Sequence, residues 1–134
     1  LVEGGSGGKG VDATDSVDDA ARAARRLAET WGCVVAMTGA TDLITDGARE
    51  VRVRGGDVLM TKVTAVGCAL SATVAACAAV SDPMSGAVAA CALFAVAGEA
   101  AARQARGPGS FRTALLDRLH DTSAADLDAA IDAA

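Results

Sequence analysis

The segment best suited to chemistry is KVTAVGCALSA, Lys62 to Ala72. Two polar residues and an Ala-Val-Gly step lead into a thiol, and a long run of small apolar residues follows. That run reads as a helix starting near Gly67 and ending near Val80. A helix N-terminus presents free backbone N–H groups and a partial positive charge. A glycine just ahead of it lets the backbone approach a phosphate, so Thr64 to Gly67 would form an anion cradle. Cys68 would then stand on the first turn, beside whatever the cradle holds. The chemistry such a place suits is phosphoryl transfer, where positioning and charge stabilisation do most of the work. By its surroundings alone, a cysteine in an Ala/Val run is more often a small core residue.

Other residues carry weaker signals. Thr38-Gly39 follows the apolar run Cys33–Met37, which reads as a buried strand. Ligands of open α/β sheets bind at the carboxyl ends of strands, yet a threonine there is more often a cap or turn residue. His120 is the only histidine and reads as a surface residue near a helix end. The stretch Gly4 to Gly10 has the composition of a phosphate loop but lacks the GK[ST] ending, so it reads as a connection.

Helices and strands must hold these residues in place. Ser16-Val17-Asp18-Asp19 has the form of a capping box and opens an amphipathic helix that Gly32 ends. After the Cys33–Met37 strand, Asp42–Thr45, Asp46-Gly47 and Glu50–Arg54 predict a hairpin with a wet face at Arg52 and Arg54. Val58-Leu59-Met60 reads as a short strand or extended segment. The helix from Gly67 follows, and Asp82-Pro83 opens another that runs to about Arg103. Gly107–Ser110 reads as a rigid turn before a helix over Phe111–Leu119, and Ser123–Asp126 as a second capping box. The order α, β, β-hairpin, then several α predicts half of a three-layer α/β/α domain with a mostly parallel sheet.

Composition removes several classes. The net charge is −5, the pI about 4.7 and aromatics only 2%, so nucleic-acid binding is not expected. A hydrophobic share of 51% in 134 residues excludes a disordered chain and fits one domain. The core must come from Ala, Val, Leu and Cys, which bury little area each. The apolar stretches Val63–Ala79 and Met84–Ala97 approach a membrane span in length, but their alanine content favours buried core helices. Cys33, Cys68, Cys77 and Cys91 show no metal spacing, and three of them read as buried. The expectation is a reduced, cytoplasmic protein with no membrane partner.

Four pieces, GGKGVDATDSVDDA, VVAMTGATDLITDG, LMTKVTAVGCALSATVAA and GPGSFRTALLDRL, together cover nearly all of the chain. In that order they resemble the C-terminal half of the hydroxyethylthiazole kinase family, which has a ribokinase-like fold. The resemblance implies ATP-dependent phosphorylation of 4-methyl-5-(2-hydroxyethyl)thiazole in thiamine salvage, with Mg²⁺, in a homotrimer. It implies that residues 1–134 are the carboxyl portion of one kinase domain, whose N-terminal half lies outside this chain. Thr38 matches an ATP-contacting threonine, Thr64 and Gly67 fall in the ATP anion hole, and Ala65 stands at a substrate contact. Cys68 matches the active-site cysteine, where other ribokinase-like kinases place an Asp base.

Two positions depart from the family's pattern. Ala40 stands where it has Glu, and Ala65 where it has Gly; a positive φ at Ala65 would then require the loop to rearrange. The alternatives are another ribokinase-like small-molecule kinase and a non-catalytic, alanine-rich interaction domain.

Overall fold

The computed structural model describes residues 17–133. Residues 1–16, with the Gly4–Gly10 stretch and the Ser16 cap, lie outside them. Helix α1 (Val17–Trp31) places Ala21, Ala24 and Ala28 on one buried stripe, at the i, i+3, i+7 spacing of a helix face. Gly32 ends it in the left-handed region, at φ 59°, and the Cys33 N–H returns to the Ala28 carbonyl at 3.2 Å. This is the 6→1 bond of a Schellman cap.

Strands β1 (Val35–Met37), β2 (Thr41–Thr45), β3 (Glu50–Arg54) and β4 (Ile131–Ala133) form one sheet in that order. Every neighbouring pair is antiparallel, which corrects the expected parallel sheet. For β1–β2 and β2–β3 the cause is connection length. Parallel neighbours need a crossover of a dozen or more residues, whereas the β1–β2 and β2–β3 links are a few residues long. The hairpin at Asp46-Gly47 forms as predicted, with Gly47 at φ 95°. Buried Thr45 serves that turn, donating to the Arg49 carbonyl at 2.7 Å and accepting from the Gly47 N–H at 3.0 Å.

Alternation along β2 separates the layers. Leu43 joins Val35, Met37 and the α1 stripe on one face. Ile44 and Val53 join the helices on the other. The chain therefore has the expected three-layer α/β/α order. Strand β1 is not the buried strand predicted: Ala36 and Cys33 are exposed, because β1 lies at the sheet's end and only one of its faces is covered. Strand β4 had no signal in the sequence.

Helices α2 (Val66–Ala78), α3 (Pro83–Ala102) and α4 (Pro108–Asp121) complete the fold. Asp82 caps α3 by accepting the Ser85 N–H at 3.0 Å, with Pro83 in the first turn as predicted. Helix α3 is long and apolar enough to cross a membrane, but two-thirds of that stretch is buried inside the fold, so it serves as the core helix. Its small residues permit close packing. A Cβ at Gly86 would stand 2.7 Å from the Ala78 backbone nitrogen, so α2 and α3 meet through that glycine.

Helix α2 departs from expectation. Only Leu70 is buried, with Val66, Val74 and Cys77 partly covered. It leans one face on α3 and leaves its other, small-residue face open. Of the four cysteines only Cys91 is buried; Cys77 is half-buried, and Cys33 and Cys68 are exposed. Val58–Lys62 is a 3-10 turn rather than a strand, because Asp57 accepts the Leu59 N–H at 2.8 Å and winds the chain. The Ser123–Asp126 capping box is present with both reciprocal bonds, over a single 3-10 turn.

Candidate functional site

The start of α2 is built by its lead-in. After the 3-10 turn the chain passes through extended Val63, and Ala65 then adopts φ 72° and ψ 6°. Alanine thus takes the left-handed conformation itself, where the sequence reading expected a need for positive φ to rearrange the loop. Ala65 is the N-cap, and its carbonyl accepts the Ala69 N–H at 2.9 Å. A methyl side chain cannot cap. The first-turn N–H groups at Val66, Gly67 and Cys68 therefore have no side-chain acceptor. A Cβ on Gly67 would meet nothing within 4 Å, so an incoming group has open access to them. Thr64, Ala65, Gly67 and Cys68 are all exposed. The Cys68 thiol is not a core residue.

Helix α4 brings a second N-terminus nearby. Gly107 is its N-cap and Pro108 follows, so the predicted Gly107–Ser110 turn is mostly the first turn of the helix itself. The Ser110 hydroxyl accepts the Arg106 N–H at 2.9 Å and donates to the Gly107 carbonyl at 3.1 Å. Lys62, Val63 and Thr64 face Pro108, Gly109 and Arg112 across a cleft of about 260 Å³. Two cationic side chains there stand out on a chain of net charge −5. A larger hollow of about 380 Å³, between Met84, Val88, Leu127 and Ile131, is mainly apolar. Its cation, Arg49, already pairs with Asp46 at 2.6 Å. The Lys62–Arg112 cleft is the one suited to an anion.

Thr38 occupies a different loop. β1 ends at Met37, and Thr38, Gly39 and Ala40 form an exposed bend before β2. The Asp42 carboxylate accepts the Gly39 N–H at 2.9 Å. Burial raises the Asp42 pKa, and the Gly39 N–H partly offsets this. Beneath it, burial foremost and the Asp42 charge second push the Cys91 thiol up to about 12. Cys91 is inert at neutral pH.

Of the predicted site residues, Thr64, Ala65, Gly67 and Cys68 lie together at the α2 start, and Thr64 also lines the cleft. Thr38 is not among the residues that line it. Sequence reasoning passed over Lys62, Arg112 and Asp42. Lys62 and Arg112 had a readable signal in retrospect, since each sits within a few residues of a Gly-containing helix start. His120 lies exposed in the last turn of α4, as expected.

Helices on both faces of a sheet, with an uncapped helix start at an open surface, define a three-layer α/β domain with a candidate anion site. A solved structure described as a hydroxyethylthiazole kinase protein from Pyrococcus horikoshii OT3 superposes with a TM-score of 0.82 at 30% identity, over 87% of this chain and 47% of that one. Residues 1–125 match the hydroxyethylthiazole kinase family, and the chain belongs to that family. Curated relatives include the hydroxyethylthiazole kinases of Clavibacter sepedonicus, 55% identical over 89% of this chain and 44% of its own length, and of Rhizobium etli, 53% identical over 96% and 51%. The chain thus spans about half the length of these relatives.

Proposed function

We propose that this chain is the carboxyl portion of an ATP-dependent kinase that phosphorylates the hydroxyl of 4-methyl-5-(2-hydroxyethyl)thiazole in thiamine salvage. The observation that carries this is the start of α2: uncapped N–H groups, open space over Gly67 and the exposed Cys68 thiol, all within one helical turn. Kinase relatives, about half of whose length this chain covers, supply the reaction class.

The residues present fit a nucleotide's phosphates. The Val66–Cys68 amides and Thr64 would receive the transferring phosphoryl group, and Lys62 and Arg112 would neutralise the remainder of the chain of phosphates. Ala65 leaves its backbone bare toward the acceptor, Cys68 lies beside the acceptor hydroxyl and orients it, and Thr38 contacts the nucleotide from the sheet. Mg²⁺, when bound with the nucleotide, would neutralise phosphate charge. Among the described residues no three His, Cys, Asp or Glu side chains converge on a metal position, so the ion would enter with the nucleotide, as this cation commonly does. The left-handed backbone at Ala65 supports this reading, because alanine there still leads into an uncapped helix start. Four free thiols agree with a reducing, cytoplasmic setting. A homotrimer remains part of the proposal on the strength of the family resemblance.

The test uses phosphate transfer from ATP to the thiazole alcohol, followed by product chromatography. The chain is assayed alone and mixed with the amino-terminal half of a relative. Transfer in either preparation that falls at least tenfold on Cys68→Ala, with MgATP still raising the melting temperature, supports the reading. No transfer in both and no thermal shift with MgATP would reject it.

A further inference from the structure

Five residues, Thr38 to Asp42, lie between the paired Met37 and Leu43. The Gly39–Asp42 hydrogen bond is the observed tie across that reversal. Its donor end is exposed and its acceptor end is rooted in the fold. Asp42 pairs with Val53 across the β2–β3 ladder and shares its sheet face with buried Ile44 and Val53. Cys91 of α3 packs close enough to feel its charge. The tie therefore runs from the core layer to the loop tip.

Gly39 is not required for its conformation. A Cβ there would meet only the Thr41 carbonyl, at an ordinary 3.6 Å. What the loop uses at residue 39 is the N–H. The loop holds a single carboxylate, since residue 40 is alanine. That carboxylate is kept half-withdrawn from water, where an uncharged acceptor would sit more cheaply. A carboxyl partly withdrawn from water, hydrogen-bonded to the tip of an exposed loop bearing Thr38, is the pattern of a group that supports a site.

We infer that Asp42 is a positioning residue for the nucleotide, fixing the Thr38–Gly39–Ala40 bend through the Gly39 N–H. The inference rests on the proposal that Thr38 contacts the nucleotide. Asp42 itself touches no ligand; it restricts the bend so that Thr38 meets the nucleotide without a further ordering cost.

The experiment compares wild type, Asp42→Ala and Asp42→Asn of the same 134-residue chain. Two quantities are read: the exchange rate of the Gly39 amide by NMR, and the affinity for the non-hydrolysable analogue adenylyl imidodiphosphate with Mg²⁺ by calorimetry. Asp42→Ala should speed Gly39 exchange at least tenfold and weaken the analogue about tenfold, the effect of one lost ordering bond. Asp42→Asn keeps an acceptor oxygen and should stay within about threefold of wild type in both. Unchanged Gly39 exchange in Asp42→Ala overturns the tie. Faster exchange with unchanged affinity overturns the positioning role and leaves the kinase reading intact. A wild-type chain that binds no analogue, alone or mixed with the amino-terminal half of a relative, removes the nucleotide reading and this inference with it. If Asp42→Ala does not fold, Asp42→Leu replaces it. Failure of both to fold, with Asn folded, assigns Asp42 a structural role alone and refutes the proposal.

Discussion

Replacing Ala65 by glycine should stabilise this protein, against the usual direction of alanine-to-glycine changes. At φ 72° the Ala65 Cβ crowds its own backbone, which costs an L-residue about 1–2 kcal/mol. Glycine removes that cost but adds about 0.4–1 kcal/mol of unfolded-state entropy to be lost on folding. Ala65 is exposed, so deleting its methyl forfeits little burial. The net gain is about 0.5–1 kcal/mol, and a chain of this length should melt about 2–4 °C higher. Ala69→Gly is the control. Ala69 is also exposed on α2 but lies inside the helix, so glycine there should cost about 1 kcal/mol. Calorimetric melting of both variants reads the pair of opposite signs. An Ala65→Gly variant that melts at or below wild type would mean that residue 65 is not left-handed, and the uncapped cradle at Val66–Cys68 would lose its geometric basis.

Gly67→Ala should leave stability unchanged or raise it by up to about 1 kcal/mol, since the new Cβ meets nothing. It should also shrink the thermal shift given by MgATP, because the methyl fills the cradle; an undiminished shift counts against phosphate binding there. Gly86→Ala should destabilise by about 1–3 kcal/mol, because its Cβ would press on the α2 backbone 2.7 Å away; urea melts measure this, and a neutral result would contradict the close α2–α3 approach. The pKa of Asp42 is raised in the fold, so its contribution is most favourable when protonated, below the unfolded value. It is lost as pH rises through the folded value. Asp42→Asn should thus gain stability relative to wild type as pH rises from about 3.5 to 7, and a difference that stays flat would show that the carboxylate is not desolvated.

The sequence discloses elements whose cause is local, and it fails where the cause is a neighbour. Asp46-Gly47, Asp82-Pro83, Gly32 and Ser123–Asp126 announce their turns and caps, because the residues that make each bond lie within a few positions of one another. Strand β4 is three residues of no strong propensity, and only β3 gives it a partner. Asp57 winds Val58–Lys62 into a 3-10 turn despite its β-branched and apolar start, a case of one side-chain acceptor outweighing propensity. At the candidate site, the helix start was readable because a Gly-Cys step opens an apolar run. The cleft beside it was not, since Lys62 and Arg112 are fifty positions apart and meet only through the docking of α4.

The exposure of α2 follows from the same distinction. Its composition, all small or apolar from Val66 to Ala79 apart from Ser71 and Thr73, implies a helix buried on every side. In this chain only the Leu70 side is covered. Strand β1 is likewise covered on the α1 face alone, with Ala36 bare on the other. A sequence written for full burial and a structure that half-covers it agree once the relatives' length is considered, because this chain spans 44–51% of the two described above. Under the proposed reading of this chain as a carboxyl portion, the open α2 face and the Ala36 face of β1 are the surfaces on which the remaining length of a family domain would pack. Such packing would bring further groups to the Cys68 turn without altering the local bonds that shape it. The bond that shapes that turn, from the Ala69 N–H to the Ala65 carbonyl, lies wholly within the residues described.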